Sequence, residues 1–307
     1  MRLSVLLWPR AFPRSFVFLP TINKIPKKDG RFAILNEKSA PYRCSFLVFP
    51  GQKMNRNLNK LLYRFTVACA FCIGSSLWAA ELTVSAAASL TQAFQDMGRQ
   101  FEAQHPGTKV KFNFGASGAL LQQMVNGAPV DVFASADTDT MDKAVARKAV
   151  NAADVKVFTS NQLVLVTPAN SLAVMTRLVD LKKPDIKRFA MGLPASVPAG
   201  LYAQGALEKA GLWKDVKDKV ISTQNVRQAL DYVARNEVDA GFVYASDAQL
   251  MAGKVKVAFQ VATASPIHYP MAKVASSTKS EDALKFMAFV MSNAGQSILK
   301  KHGFTAP

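Results

Sequence analysis

The chain has 307 residues, 50% of them hydrophobic and 19% charged, which is enough for two domains of ordinary size. Its formal net charge of +17 first suggests a nucleic-acid partner, but 13 of its 38 Lys and Arg residues and only two of its 21 acidic residues lie in residues 1–80. Residues 81–307 are therefore only mildly basic and contain no dense basic stripe, which argues against nucleic-acid binding.

The N-terminal part of the chain contains a targeting segment. From Met54 a positively charged stretch leads into the uncharged apolar run 65–79, which ends in small residues suitable for cleavage. This pattern predicts a secretory signal peptide at 54–80 and hence a periplasmic protein. An uncleaved anchor is the alternative, but the apolar run is short for a membrane span. Residues 1–53 form a doubtful N-terminal extension, either a start assigned upstream of the true one or a disordered basic leader.

The cysteines exclude several kinds of chemistry. All three, Cys44, Cys69 and Cys72, precede the expected cleavage site. The mature chain would therefore contain no thiol nucleophile, thiolate metal site or redox pair. Its size allows it to fold without disulfides in an oxidising compartment.

Residues 81–307 alternate between strand-like and helix-like stretches. Residues 82–85 fit a buried strand, and after Ser89, the expected N-cap, apolar residues recur at helical spacing as far as Phe101. Alternating strands and helices favour parallel sheets covered by helices. The other predicted elements are, in order, a strand at 110–114, a helix from Ser117, a strand at 129–133, a helix at 141–148, strands at 161–167 and 189–193, a helix at 197–210, a strand at 220–222, a helix at 226–235 capped by Asn225, strands at 239–243, 255–261 and 269–275, and a helix at 280–301.

A set of short motifs adds information about the fold. They are Ala86-Ala-Ala-Ser-Leu90, Phe114-Gly-Ala-Ser117, Gly127-Ala-Pro-Val-Asp-Val-Phe133, Val197-Pro-Ala-Gly200, Asn225-Val-Arg227, Val243-Tyr-Ala-Ser-Asp247 and His302-Gly-Phe-Thr305. Each is weak alone, but their order along 81–307 resembles that of the periplasmic molybdate-binding proteins of molybdate ABC importers. The resemblance implies an α/β, two-lobed type II periplasmic-binding-protein fold. Each lobe would be a mixed, mostly parallel sheet flanked by helices, with the ligand cleft between the lobes.

The resemblance also implies a domain layout and a function. Crossover strands near 161–167 and 269–275 would place 81–167 and 269–307 in lobe I and 168–268 in lobe II. The implied function is binding of molybdate and tungstate, without catalysis, and delivery to an ABC permease and its ATPase at the inner membrane. The resemblance implies no cofactor. A monomer is the default state for this class of protein.

Five positions carry over from the family's oxyanion site. In that family, two Ser hydroxyls, a Tyr hydroxyl and backbone amides hold the ligand. They contact the oxygen atoms of molybdate and not its metal atom. By motif these are Ser89, Ser117, Ala199, Val226 and Tyr244. The residues themselves support this, since four of the five fall at predicted helix starts, which attract anions. Taken singly, a Ser at a helix start is usually only a cap, and a Tyr at a strand end usually only packs.

Donor groups alone suit an oxyanion that carries no proton, because a protonated phosphate needs an acceptor. Other functions are less well supported. A serine hydrolase needs a base, and His105, His268 and His302 lie in no G-x-S-x-G setting. Scattered histidines without cysteine do not make a metal site, and no nucleotide phosphate loop is present. The remaining alternatives are a solute-binding protein for another tetrahedral oxyanion, such as sulfate, and a ligand-sensing module on the same fold.

Overall fold

The computed structural model describes residues 80–307, and their strands form two five-stranded sheets. The predicted extension at 1–53 and nearly all of the predicted signal peptide lie outside these residues. The first sheet has the order β2-β1-β3-β10-β4. Strands β1, β2 and β3 are parallel, whereas β10 is antiparallel to both of its neighbours. Its strands are β1 (Ala80–Ala87), β2 (Thr108–Gly115), β3 (Val132–Ala134), β4 (Lys156–Asn161) and β10 (Ile267–Lys273).

The second sheet repeats this arrangement, with the order β7-β6-β8-β5-β9. Strands β6, β7 and β8 are parallel, and β5 is antiparallel to β8 and to β9. Its strands are β5 (Leu163–Pro168), β6 (Phe189–Gly192), β7 (Val220–Thr223), β8 (Ala240–Tyr244) and β9 (Val255–Gln260). We call the first sheet and its helices lobe I, and the second sheet and its helices lobe II. The mixed, mostly parallel sheets and the two lobes agree with the predicted fold class.

Helices connect the strands and cover the sheets. In lobe I, Phe94 lies at the centre of an aromatic cluster, with ring centroids 5.8–6.2 Å from those of Phe112, Phe158 and Phe286. The helices of lobe I are α1 (Thr91–Gln104), α2 (Ser117–Val125), α3 (Thr138–Ala146), α8 (Ser280–Met291) and α9 (Asn293–Lys301). Those of lobe II are α4 (Pro198–Lys209), α5 (Trp213–Val216), α6 (Val226–Ala234) and α7 (Ala245–Leu250). No helix of residues 80–307 is long and apolar enough to cross a membrane.

The chain passes between the lobes at two places. Strands β4 and β5 belong to different sheets and are separated only by Gln162, where one continuous strand over 161–167 was predicted. The return passage lies between the end of β9 at Gln260 and the start of β10 at Ile267. By sheet membership, therefore, 163–168 belongs with lobe II and not with lobe I. The division into lobes at 81–167 plus 269–307 and 168–268, given from the sequence, remains a prediction.

Two local predictions were wrong. Ser89 does not cap a helix, because Ala88–Leu90 form a 3₁₀ turn and α1 begins at Thr91 without a side-chain cap. The last helix is not continuous, because Ser292 adopts an extended conformation and its Oγ accepts a hydrogen bond from Gly295 N. Ser292 thereby caps α9 and separates it from α8. The predicted cap at Asn225 is correct, since its Oδ1 accepts a hydrogen bond from Gln228 N at 3.0 Å.

Candidate oxyanion site

A small cavity lies between the lobes, at the carboxyl ends of their parallel strands. About 210 Å³ of space not filled by protein atoms lies there, part of it open to solvent. Ligands of open α/β sheets bind at this edge, where loops lead from strands into helices. The structure brings together there all five residues carried over by motif. The cavity is lined by Ala87, Ala88, Ser89, Gly115, Ala116, Ser117, Ala136, Val197, Pro198, Ala199, Asn225, Val226 and Tyr244.

Lobe I contributes two buried hydroxyl groups. Ser89 is 2% exposed, and its Oγ lies 3.0 Å from the hydroxyl oxygen of Tyr269. Ser117 is fully buried as the first residue of α2, and its Oγ accepts a hydrogen bond from Ala136 N at 3.0 Å. Neither hydroxyl caps a helix in the structure. The capping alternative therefore does not account for these two serines.

Lobe II contributes backbone amides from two helix starts. Ala199 lies in the first turn of α4 after Pro198, and Val226 is the first residue of α6. Amides in a first turn have no acceptor within their own helix, and the helix dipole favours an anion beside them. Gly200 allows α4 to start this close to β6, because a Cβ there would lie 1.8 Å from the carbonyl oxygen of Gly192. The glycine thus places the Ala199 amide at the cavity.

Tyr244 ends β8 and is 1% exposed. Its hydroxyl group has no hydrogen-bond partner among the described residues. Leaving a buried hydroxyl without a partner costs free energy. Burial also raises the pKa of this hydroxyl well above that of an ordinary tyrosine, so it remains a hydrogen-bond donor at neutral pH. A ligand oxygen in the cavity would satisfy it.

The charged groups near the cavity are bonded to their own neighbours. Arg227 Nε lies 2.9 Å from Oδ1 of the buried Asp247, in an ion contact that is not aligned as a straight hydrogen bond. Asp247 also accepts a hydrogen bond from Tyr244 N at 3.3 Å. Asp137 caps α3 by accepting from Thr140 N, and burial raises its pKa. The cavity lining itself contains no charged side chain, so hydroxyl groups and backbone amides are the donors it can offer to an anion.

The histidines lie outside the cavity. Among residues 80–307 there is no group of three or more His, Cys, Asp or Glu that could hold a metal ion. His302 pairs with Asp96 at 2.8 Å, and His268 Nδ1 lies 2.9 Å from Ser160 Oγ. His105 bonds the carbonyl oxygen of Phe101. None of the three histidines lines this cavity, although His302 and Ser89 both line a neighbouring pocket.

Comparison with known proteins identifies the family. Residues 82–305 match the family model described as bacterial extracellular solute-binding protein. The chain belongs to this family. One solute-binding protein relative is the molybdate-binding protein ModA of Escherichia coli (strain K12), which is 37% identical over 246 residues, or 78% of this chain and 95% of the relative. The family resemblance drawn from the motifs is therefore confirmed.

Solved structures of other solute-binding proteins show the same architecture. The substrate binding domain of a putative molybdenum ABC transporter from Clostridium difficile is 35% identical, with a TM-score of 0.58 over 74% of this chain and 99% of that chain. The periplasmic molybdate-binding protein of Azotobacter vinelandii is 24% identical, with a TM-score of 0.66 over the same shares of the two chains. The predicted two-lobed fold is thereby confirmed.

Sequence reasoning missed three residues of this solute-binding protein that adjoin the cavity. Tyr269 and Asn161 are buried behind Ser89, and Arg227 Nη2 donates a hydrogen bond to the carbonyl oxygen of Ser89 at 3.1 Å. Arg227 lies within the motif at 225–227, so its presence there was a usable signal. Tyr269 is 180 residues from Ser89, and no local pattern marks the contact.

Proposed function

We propose that this solute-binding protein binds molybdate and tungstate in the cavity between its lobes. One observation carries the proposal: five positions from five separate strand ends and helix starts line one cavity that offers donors and no charged side chain. Hydrogen bonds from neutral donors to an ionised acceptor are about twice as strong as neutral ones, so a dianion can be held without a cation. The E. coli relative, named for molybdate binding, supports this choice of cargo.

The five contacts would come from both lobes. Ser89 and Ser117 belong to lobe I, whereas Tyr244 and the amides of Ala199 and Val226 belong to lobe II. Only a closed cleft satisfies all oxygens of one tetrahedral anion, so binding favours closure through its differential contacts. Release to an ABC permease and its ATPase would then require the lobes to separate. We propose this delivery, without catalysis, as the role of a periplasmic monomer whose chain crosses between the lobes at Gln162 and again between Gln260 and Ile267.

Calorimetric titration of the purified protein with molybdate, tungstate, sulfate and phosphate tests the cargo. A site built from donors alone cannot distinguish one dianion from another by charge, so it must distinguish them by size. The S–O bonds of sulfate are shorter than the metal–oxygen bonds of molybdate and tungstate. We expect molybdate and tungstate to bind far more tightly than sulfate, and phosphate to bind most weakly near neutral pH. Sulfate competing equally with molybdate would instead support the alternative of a sulfate-binding protein.

Export is tested separately by intact-mass measurement of the protein recovered from the periplasm. We expect a mature N-terminus within a residue or two of Glu81. Retention of residues 1–53 in the mature protein would contradict the proposed signal peptide at 54–80.

A further inference from the structure

A chain of hydrogen bonds runs behind Ser89, away from the cavity. Ser89 Oγ and the hydroxyl oxygen of Tyr269 lie 3.0 Å apart, and both residues are buried. Either hydroxyl could donate in this pair considered alone. The direction of the bond decides whether Ser89 presents a hydrogen atom or a lone pair to the cavity.

Asn161 fixes this direction. Its Oδ1 accepts a hydrogen bond from Gln162 N at 2.9 Å, and a backbone N–H can only donate. The amide nitrogen Nδ2 must therefore face the other way, where it donates to Ser246 Oγ at 2.8 Å and, in a longer bond, to the Tyr269 hydroxyl at 3.4 Å. Tyr269 accepts from Asn161, and among the described residues Ser89 Oγ is the one acceptor within reach of its buried hydroxyl hydrogen, so that hydrogen is directed to Ser89 Oγ. The hydrogen of Ser89 is then left to point into the cavity.

The Ser117 hydroxyl is also held as a hydrogen-bond donor toward the cavity, by a backbone amide and not by side chains. Its Oγ accepts from the backbone N–H of Ala136 at 3.0 Å, and the side chain is fully buried. No other partner of this hydroxyl is found among the described residues, so its hydrogen is also available to the cavity. The hydroxyl oxygen of each serine thus accepts a hydrogen bond from the protein itself, and its hydrogen is left for a ligand.

We infer that Asn161 and Tyr269 are positioning residues that hold Ser89 as a hydrogen-bond donor, and that they thereby weaken the binding of oxyanions that carry a proton. The inference deepens the proposed function and rests on it. An anion such as hydrogen phosphate must place its P–OH group against some wall of the cavity. With Ser89 and Ser117 both held as donors, neither serine is oriented to accept that hydrogen. The hydrogen must then use an acceptor such as the unpartnered Tyr244 hydroxyl, which would otherwise donate to the anion, and the lost hydrogen bond of a buried group is costly.

Sulfate and hydrogen phosphate isolate this effect, because they have similar sizes and equal charges at about pH 8, above the second pKa of a phosphate group. They differ by one proton. The measured quantity is the ratio of their dissociation constants, obtained by competition against molybdate. In Tyr269→Phe the directing hydroxyl is lost and Ser89 is free to rotate. We expect molybdate to bind about tenfold more weakly and the preference for sulfate over hydrogen phosphate to shrink by a similar factor.

Asn161→Asp is a nearly isosteric second variant. A carboxylate at this position accepts from both Gln162 N and the Tyr269 hydroxyl. Ser89 must then donate to the Tyr269 oxygen, which reverses the hydrogen bond between them and turns a lone pair of Ser89 toward the cavity. The added charge repels both dianions alike, so their ratio still reports the direction of the hydrogen bonds. We expect this ratio to shrink further than in Tyr269→Phe. The matched control is Tyr232→Phe, whose hydroxyl accepts from Gln228 Nε2 at 3.1 Å on α6, away from the cavity.

A residue that acts only by supporting the fold would lower the melting temperature and leave the ratio unchanged. An unchanged ratio in folded Tyr269→Phe and Asn161→Asp would therefore overturn the inference. A parent protein that binds sulfate but not molybdate would overturn the proposed cargo, while the ratio, measured by direct titration, would still test the positioning role. A parent that binds none of these anions would overturn both.

Discussion

Arg227 Nη2 donates a hydrogen bond to the backbone carbonyl oxygen of Ser89 at 3.1 Å, and this bond joins lobe II to lobe I. The same guanidinium group holds Asp247, whose other oxygen receives the N–H of Tyr244. One side chain therefore links the backbone of one proposed ligand residue in each lobe.

Substitution of Arg227 should separate its two roles. Arg227→Lys keeps a positive charge for Asp247 but lacks the planar group that reaches both partners, so we expect about tenfold weaker molybdate binding, mainly through faster dissociation. Arg227→Met leaves Asp247 as an unpaired buried charge and should cost about 3–5 kcal/mol of unfolding free energy. Stopped-flow kinetics and chemical denaturation measure these effects. Arg235→Gln, at the exposed end of the same helix, is the control and should change neither.

Loss of one ligand hydroxyl should weaken binding without unfolding the protein. A hydrogen bond to a charged group contributes about 1.5–3 kcal/mol, so Ser117→Ala and Tyr244→Phe should each reduce molybdate affinity roughly ten- to a hundredfold. Ala199→Gly keeps its amide and should have a much smaller effect. Titration of the three variants, with thermal melts beside it, provides the measurement. Parent-like affinity in both hydroxyl variants would show that the site was assigned to the wrong residues.

Gly118 controls how closely the lobes approach. Its N–H donates to the carbonyl oxygen of Ser196 in the other lobe at 3.0 Å, and a Cβ on Gly118 would lie 2.9 Å from the backbone of Ser196. Gly118→Ala should therefore disfavour closure and weaken binding while leaving each lobe folded. Small-angle scattering should show a more open protein in the presence of molybdate. Gly205→Ala is the matched control, because no atom lies within 4 Å of its added Cβ and helix propensity favours alanine.

The hydrogen bond between Asp96 of α1 and His302, which follows α9, should appear in the acid stability of the protein. His302 hydrogen-bonds Asp96 and, as the largest cause, lowers the pKa of that carboxyl below its usual 3.8. A lowered pKa in the folded state means that the stabilisation is present above pH 3.8 and is lost as the pH falls through the folded value. Between about pH 5 and pH 3, the parent should lose more unfolding free energy than Asp96→Asn, by up to about 1 kcal/mol. Equal acid sensitivity of both proteins, measured by denaturant titration, would contradict this.

The sequence was most informative where residues close together in the chain also act together. The alternation of strands and helices and the residues at strand ends needed only local patterns. Ser89 was placed at the cavity by its motif, yet its predicted capping role was wrong, since a 3₁₀ turn intervenes before α1. The hydroxyl instead bonds Tyr269, and such contacts depend on how the chain crosses between lobes.

The crossings themselves were hard to locate for a related reason. The apolar run at 161–167 reads as one strand, but β4 and β5 pair in different sheets on either side of Gln162. Hydrogen-bond partners on neighbouring strands decide this, and they come from β10, β8 and β9. Asn161 acquires its bonds to Gln162 and Ser246 at this crossing, so its role could not be read before the fold was known.

The contact between Gly118 and Ser196 also suits the protein to a technical use. Residues 81–307 contain no cysteine, so Ser196→Cys would create a unique attachment point in this part of the chain for a thiol-reactive fluorophore. Ser196 is half-buried where the lobes meet, and a dye there would change its surroundings as the cleft opens or shuts. The labelled protein would convert the concentration of a trace oxyanion in water into an optical signal, without an enzyme or a chelating reagent.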